Sequence, residues 1–245
     1  MLSVTFVTRV GNRPLDHPSG RPEQTPRGRI VGDMTCVLLI SGSTREGSLQ
    51  TAALRTAARF APPEITTILY DGLRDLPAFA PGEQPPGPVA DLRARVVEAD
   101  AVLFSTPEYA GSLPGSLKNL LDWLVDGGDL DRKPAAWLSV VGPGRDDGAR
   151  AALESVLGHG NARLLRPACI RIPLEMTAVD ETGVVTDDRL HVALQDVLRA
   201  LVRAVAESRP RPQPTWQAHS SVYPVVNRRD MPGQQPVIWP GSAFS

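Results

Sequence analysis

Short apolar runs alternate along the chain with longer segments in which apolar residues recur at helical spacing. The strand-like runs lie at 37–41, 65–71, 101–105, 135–141 and 168–172. The helical segments lie at 48–60, 88–99, 114–126, 147–158 and 187–207. Five apolar strands separated by helices predict an α/β fold with a doubly wound, five-stranded parallel sheet covered on both faces. In such sheets ligands bind beyond the carboxyl ends of the strands, so the loops after the first, third and fourth runs are the places to search for a site.

The two ends of the chain differ in composition from the alternating middle. Residues 1–33 are rich in Arg, Pro and Gly and have no apolar period, which predicts an irregular extension. Met34 directly precedes the first strand, so residues 1–33 are either a tail or an over-extended reading frame, with an ordered arm as the alternative. Residues 208–245 contain seven prolines together with aromatic residues, which predicts an irregular extension that packs on a surface. The folded domain is therefore predicted to span residues 34–207.

Composition narrows the classes of function. Hydrophobic residues make up 42% of the chain, enough for a substantial core, and the formal net charge of −1 provides no general attraction to nucleic acid or to an anionic membrane. No apolar run approaches the length of a membrane span. The two cysteines, Cys36 and Cys169, are far apart and in no CxxC pattern, which disfavours a disulfide scaffold or a zinc site. These features predict a cytoplasmic protein with no nucleic-acid or membrane partner.

The loop after the first strand has the composition of a phosphate site. It reads SGSTREGSLQTAAL over residues 41–54. Ser43 and Ser48 supply hydroxyls and Arg45 a guanidinium just where a helix begins, and the N-terminus of a helix favours an anion. The alternative is that Ser48 only caps the helix. The loop is neither a GxxxxGK[ST] nucleotide loop nor a GxGxxG dinucleotide fingerprint.

The loops after the third and fourth strands complement this phosphate loop. The third-strand loop, PEYAGSLPG, brings Pro107 and the aromatic face of Tyr109. The fourth-strand loop brings Gly142 and Gly144, which expose backbone amides. A ligand with a phosphate at one end and a flat heteroaromatic ring at the other fits all three loops, and FMN is such a molecule.

Three motifs in these loops resemble those of the NADPH-dependent FMN reductase family, whose fold is flavodoxin-like. The first is GSTREGSLQ over 42–50, similar to the family pattern GSxRxxSxN. The second, PEYAGSLPGSLKNLLDW over 107–123, is similar to PEYNxSxPGxLKNxxDW and is long and specific. The third, GPGRDDGARA over 142–151, is similar to the glycine-rich SPGxxGGxRA. The resemblance extends from about Val37 to about Val205.

The resemblance implies an oxidoreductase that passes hydride from NADPH or NADH through bound FMN to a flavin, a quinone or a similar small acceptor. The cofactor performs the difficult chemistry, so no catalytic side chain and no metal are assigned. Glu108 is either a contact of the flavin ring or an acid held by amides at a helix start. The loops and the resemblance together give these candidate FMN-binding residues: Ser43, Arg45, Ser48, Gln50, Pro107, Glu108, Tyr109, Ala110, Gly142, Gly144 and Arg145.

The chain departs from the family patterns at three positions. Gln50 and Ala110 stand where the family has Asn, and Asp147 replaces a glycine. Ala110 removes a polar contact expected beside the ring. Asp147 is expected to cap the next helix or, with Asp146, to place negative charge near the flavin and lower its reduction potential.

Two other functions and an assembly state remain to be distinguished. A flavodoxin-type electron carrier would bind FMN without oxidising NADPH, and a non-catalytic module would bind no FMN. The resemblance also implies a homodimer or homotetramer. Trp123 falls off the leucine stripe of residues 113–124, so it is predicted to be exposed at a subunit contact, with burial under the C-terminal extension as the alternative.

Overall fold

The computed structural model describes residues 34–208, in which six strands and five α-helices alternate. The strands are β1 Thr35–Ser41, β2 Ile65–Tyr70, β3 Ala101–Ser105, β4 Pro134–Ser139, β5 Arg163–Leu164 and β6 Ile170–Arg171. The helices are α1 Leu49–Arg59, α2 Gly87–Glu98, α3 Gly115–Gly127, α4 Asp147–His159 and α5 Asp188–Ser208. Every predicted helix is confirmed to within one residue at both ends. The predicted extensions at residues 1–33 and 208–245 lie outside the described residues, except for Ser208, which ends α5.

The sheet is parallel and has the strand order β2-β1-β3-β4-β5. Residues Thr35 to Ile40 of β1 pair with β2, and Val37 to Ser41 pair with β3 on the other side. After β1, the chain adds β2 on one side of it and then crosses over to add β3, β4 and β5 in turn on the other side. This strand order is the flavodoxin-like arrangement. This reversal places the loops after β1 and β3 next to each other at the carboxyl edge of the sheet.

The predicted fifth strand, residues 168–172, is only partly correct. Two short strands occupy this position, and both pair with β4: Arg163 and Leu164 at its start, and Ile170 and Arg171 at its end. A 3-10 turn at Arg166–Ala168 separates them. Pro167 lies in that turn, and a proline has no N–H to donate to a sheet ladder, so the strand is interrupted there.

Helices cover both faces of the sheet. On one face, α2, α3 and α4 pack their apolar residues against the alternate side chains Leu38, Ile40, Val102 and Phe104 of the central strands. On the other face, α1 and α5 pack against Val37, Leu39 and Leu103. Every residue of β1 and β3 is buried, as expected of parallel strands covered on both sides.

The predicted exposure of Trp123 is wrong. Its side chain is 1% exposed, and its indole N–H donates to the carbonyl oxygen of Pro77 at 3.1 Å. The ring of Phe79 packs edge-on against it with centroids 4.9 Å apart. The segment after β2 therefore covers the side of α3 that the sheet leaves open, and Trp123 belongs to the core of its own chain.

Among residues 34–208, none of the helices combines the length and the hydropathy required to span a lipid bilayer.

Candidate functional site

A cleft of about 330 Å³ opens at the carboxyl edge of the sheet, where the loops after β1, β3 and β4 meet. Its size is at the lower end of the range for small-molecule sites. The residues that line it are Ser43, Arg45, Gly47, Ser48, Leu49, Gln50, Pro107, Glu108, Tyr109, Val141, Arg145 and Met176. The three loops selected from the sequence thus meet at one place.

The loop between β1 and α1 forms the end of the cleft that suits an anion. Ser48 caps α1: its hydroxyl oxygen accepts from the N–H of Thr51 at 3.2 Å, and its O–H donates to the Thr51 hydroxyl. The first backbone hydrogen bond of the helix is donated by the N–H of Ala52 to the carbonyl oxygen of Ser48. The N–H groups of Leu49 and Gln50 come earlier in the chain and therefore have no acceptor within the helix. These amides are therefore open to a ligand anion.

Gly42 allows this loop to approach the loop after β3. Its N–H donates to Ser105 O at 2.8 Å. A Cβ at Gly42 would overlap the Thr106 hydroxyl and lie 2.7 Å from Leu117 Cδ2. Any other residue here would require the side chains of Thr106 and Leu117 to move.

Residues Tyr109 to Ser112 form a tight two-residue turn at the side of the cleft. The N–H of each end residue donates to the carbonyl oxygen of the other, both at 3.0 Å. The two central residues, Ala110 and Gly111, have φ values of +50° and +71°. This left-handed pair resembles the type I′ turn, which favours Asn-Gly. Ala110, which departs from the family pattern, is therefore in a conformation that costs an alanine free energy.

Replacing Ala110 with asparagine is expected to stabilise the protein by about 1 kcal/mol, because asparagine tolerates the left-handed conformation better than alanine does. The measurement is chemical denaturation of both proteins. Ala110→Val is the control, since a β-branched residue at φ +50° should destabilise the turn. A destabilised Asn variant with an unaffected Val variant would contradict the turn geometry.

The Tyr109–Ser112 turn is docked directly on the start of α4. A Cβ at Gly148 would overlap the carbonyl oxygen of Gly111 and lie 2.8 Å from its carbonyl carbon. The Glu108 carboxylate accepts from the N–H of Ala149 at 3.0 Å. Of the two roles expected for Glu108, the structure shows the acid held by an amide at a helix start. The neighbouring Tyr109 is 48% exposed and lines the cleft.

Two aspartates and two arginines form a compact charge cluster just after the glycine-rich loop, named here the Asp–Arg cluster. Asp146 Oδ1 accepts from Arg171 Nη2 at 2.9 Å and from Arg150 Nε at 3.2 Å. Asp147 bonds both arginines as well, and these hydrogen bonds, first from Arg150 and then from Arg171, hold the pKa of its carboxyl below the ordinary value. Arg150 also lies over the ring of Trp137, 4.9 Å from its centroid.

The Asp–Arg cluster corrects two expectations for the aspartates. Asp147 does not cap α4, because the helix begins at Asp147 itself, and Asp146 at the cap position makes no side-chain capping bond. Nor do the two aspartates bring uncompensated negative charge to the loop. Each carboxylate is bonded to both arginines, and the four formal charges sum to zero.

The structure brings eight of the eleven candidate residues into the cleft. Ala110, Gly142 and Gly144 do not line it, although they lie in the loops that form it. Four further lining residues were not among the candidates, namely Gly47, Leu49, Val141 and Met176. Met176 is 53% exposed and follows β6. Met176 lies just beyond the last predicted strand, whereas the sequence motifs pointed only to the loops after the first, third and fourth strands.

The charges in the cleft favour an anion. Among residues 34–208, neither Arg45 nor Arg145 has a carboxylate partner, and the carboxylate of Glu108 is bonded to Ala149. The cleft therefore offers two guanidiniums and open helix amides near one half-exposed aromatic ring. This arrangement can hold a phosphate and a flat ring together.

Comparison with known proteins agrees with this chemistry. The family described as NADPH-dependent FMN reductase matches residues 35–170. An NAD(P)H-dependent FMN reductase of Pseudomonas aeruginosa is 36% identical over 179 residues, covering 70% of this chain and 95% of the relative. A quinone reductase of Escherichia coli is 35% identical over 92 residues, covering 36% of this chain and 49% of the relative. The flavoenzyme NAD(P)H:(acceptor) oxidoreductase FerB of Paracoccus denitrificans has a similar structure, with a TM-score of 0.61, 29% identity, and coverage of 71% and 98%.

Proposed function

The chain belongs to the NADPH-dependent FMN reductase family, and from this premise we propose that the cleft described above is its FMN site. As a member of the family it is an FMN-dependent oxidoreductase that takes its electrons from NADPH or NADH. The main support for placing FMN in this cleft is that Arg45, the open amides of α1 and the aromatic residue Tyr109 all line it.

The described residues fit FMN at both ends. Ser43 and Arg45, with the amides of Leu49 and Gln50, would hold the phosphate, while the Ser48 hydroxyl fixes the start of α1. Pro107 and Tyr109 would flank the ring, and Val141 and Arg145, which line the cleft from the loop after β4, would face its polar edge. When bound, FMN supplies hydride acceptance and donation. The protein would position the ring, and Arg145 would add positive charge near its polar edge.

Arg45→Ala tests the phosphate site. We expect FMN to bind at least about tenfold more weakly, equivalent to about 1.4 kcal/mol, because a charge-assisted contact with the phosphate is lost. The measurement is titration of the apoprotein with FMN, followed by flavin fluorescence. Arg203→Ala, an exposed arginine of α5 outside the cleft, is the matched control and should bind FMN normally. Equal affinity of the Arg45 variant and the wild type would refute the phosphate assignment.

We further propose that the electron acceptor is a small molecule such as a quinone or a free flavin. The named activities of the relatives support this, since they include quinone reductases and FMN reductases. Anaerobic reduction of the FMN-loaded protein by NADPH and by NADH, followed by a panel of quinones and flavins, tests the proposal. A protein that binds FMN but is reduced by neither nicotinamide would instead be an electron carrier.

Finally, we propose a cytoplasmic homodimer, or a homotetramer built from it. Because Trp123 is buried, it cannot provide the contact. Tyr109 and Met176 are large, exposed apolar residues at the cleft, and a neighbouring subunit that covered them would complete the site. Sedimentation at assay concentration measures the assembly state.

A further inference from the structure

A second cleft adjoins the first on the other side of the β1–α1 loop. It encloses about 260 Å³ between that loop, α1 and the segment that follows β2. Ser43, Arg45 and Gly47 line both clefts, so the loop itself is the wall between them. The proposed FMN site makes no use of the other walls of this second cleft.

Three arginines from three different segments line the second cleft. Arg45 comes from the β1–α1 loop, Arg55 from α1 and Arg74 from the turn after β2. All three are exposed, and within residues 34–208 none of them forms an ion pair. Glu46 and Asp71 also line the cleft, which leaves a formal charge of +1. Guanidiniums without carboxylate partners are suited to a phosphate.

Two of these arginines have identifiable neighbours in other segments of the chain. Arg74 donates a hydrogen bond to the carbonyl oxygen of Thr44, which ties the turn after β2 to the β1–α1 loop. A Cβ at Gly183 would lie 3.0 Å from Arg55 Nη1, so the missing side chain of Gly183 leaves room for this guanidinium. Arg74 thereby connects two walls of the cleft and still has further N–H donors for a ligand.

The floor of the second cleft is apolar and partly aromatic. Tyr70 and Leu73, each 7% exposed, and Leu69 contribute to it. Burial raises the pKa of the Tyr70 hydroxyl to about 12, so the ring remains neutral. Asp71 stands exposed directly after β2, where its carboxylate can accept a hydrogen bond from a sugar hydroxyl. A floor of this kind beside a cationic rim suits a phosphorylated purine nucleoside.

We propose that the second cleft binds the adenosine 2′-phosphate part of NADPH. This inference rests on the proposed function, in which a reduced nicotinamide is the electron donor at the neighbouring cleft. NADPH differs from NADH only by this one phosphate group, and Arg55 and Arg74 are the cations that the FMN site leaves unused. The second cleft then determines the preference for NADPH, while the first cleft holds the reacting rings.

Arg55→Ala is the test variant, because Arg45 lines both clefts and Arg74 holds the loop backbone. Arg59→Ala is the matched control: Arg59 is exposed on the same helix, has no ion pair among residues 34–208 and lines neither cleft. Adenosine 2′,5′-bisphosphate and adenosine 5′-monophosphate are titrated calorimetrically into each protein, with and without FMN. The kcat/KM values for NADPH and NADH are measured with 1,4-benzoquinone as acceptor.

Arg55→Ala should weaken binding of the bisphosphate at least about tenfold and lower the NADPH:NADH ratio of kcat/KM by a similar factor, because one charge-assisted phosphate contact is lost. Arg59→Ala should change neither. The inference is overturned if the wild type does not bind the bisphosphate, if the variant binds it equally well, or if the variant loses FMN affinity instead. Failure of the proposed function would appear separately, as a wild-type protein that binds no FMN or oxidises neither nicotinamide.

Discussion

Replacing Asp146 with alanine is expected to lower the free energy of unfolding by about 3 kcal/mol, because it leaves two arginines facing a site built for a carboxylate. The side chain of Asp146 is 2% exposed and accepts hydrogen bonds from both Arg150 and Arg171. The side chains of the two arginines are about one-fifth exposed, so water can solvate their charges in part. The expected loss of stability therefore lies at the lower end of the range for breaking a buried ion pair. Urea denaturation of the apoprotein measures it.

Asp147→Ala provides the matched control for this prediction. Asp147 neighbours Asp146 in sequence and bonds the same two arginines, but its side chain is 59% exposed. A solvent-exposed ion pair contributes little to stability, so this variant should lose far less than Asp146→Ala. Equal losses would show that burial does not determine the energetics of the Asp–Arg cluster.

Gly148→Ala is expected to destabilise the protein by about 1–3 kcal/mol, because the new methyl group would overlap the carbonyl oxygen of Gly111. Backbone atoms cannot rotate away, so α4 and the Tyr109–Ser112 turn must separate. The bond between Glu108 and Ala149 should weaken, and Tyr109 should shift relative to the cleft. FMN affinity is therefore expected to fall by about tenfold, or about 1.4 kcal/mol. Thermal unfolding and FMN titration measure the two effects.

Gly158→Ala is the control for Gly148→Ala. It makes the same substitution in the same helix, α4, but apart from the neighbouring backbone of that helix no atom of the described residues lies within 4 Å of the added Cβ. Alanine is a better helix former than glycine, so this variant should be stabilised by about 0.5–1 kcal/mol. Opposite signs for the two variants would identify the contact with Gly111, rather than helix propensity, as the cause. A neutral Gly148→Ala with normal FMN binding would rule out the close docking of the turn.

Local signals in the sequence determined the elements and the place of the site. The helix ends were predicted to within one residue because the apolar period stops at residues with local roles, such as the capping hydroxyl of Ser48 and the left-handed Gly128 after α3. The place of the site followed from a property of all parallel sheets, whose strands end at one edge. Eight candidate residues could therefore be named from three loops without knowledge of their distances.

Contacts between distant segments were decided only by the tertiary structure. Periodicity showed that Trp123 is off the leucine stripe of α3, but it could not show that Pro77 and Phe79, more than 40 residues earlier, cover that side. The positive φ of Ala110 likewise follows from the closure of a turn and its docking on α4, whereas the sequence indicated only a lost polar contact.

The charges illustrate the same division between local and distant information. The sequence shows Asp146 and Asp147 side by side, which suggests an acidic patch. It does not show that Arg171, 25 residues later, reaches them from β6. The second cleft depends in the same way on arginines from three segments. Residue spacing determines which face of an element a side chain occupies, whereas the partner on that face depends on how the whole chain packs.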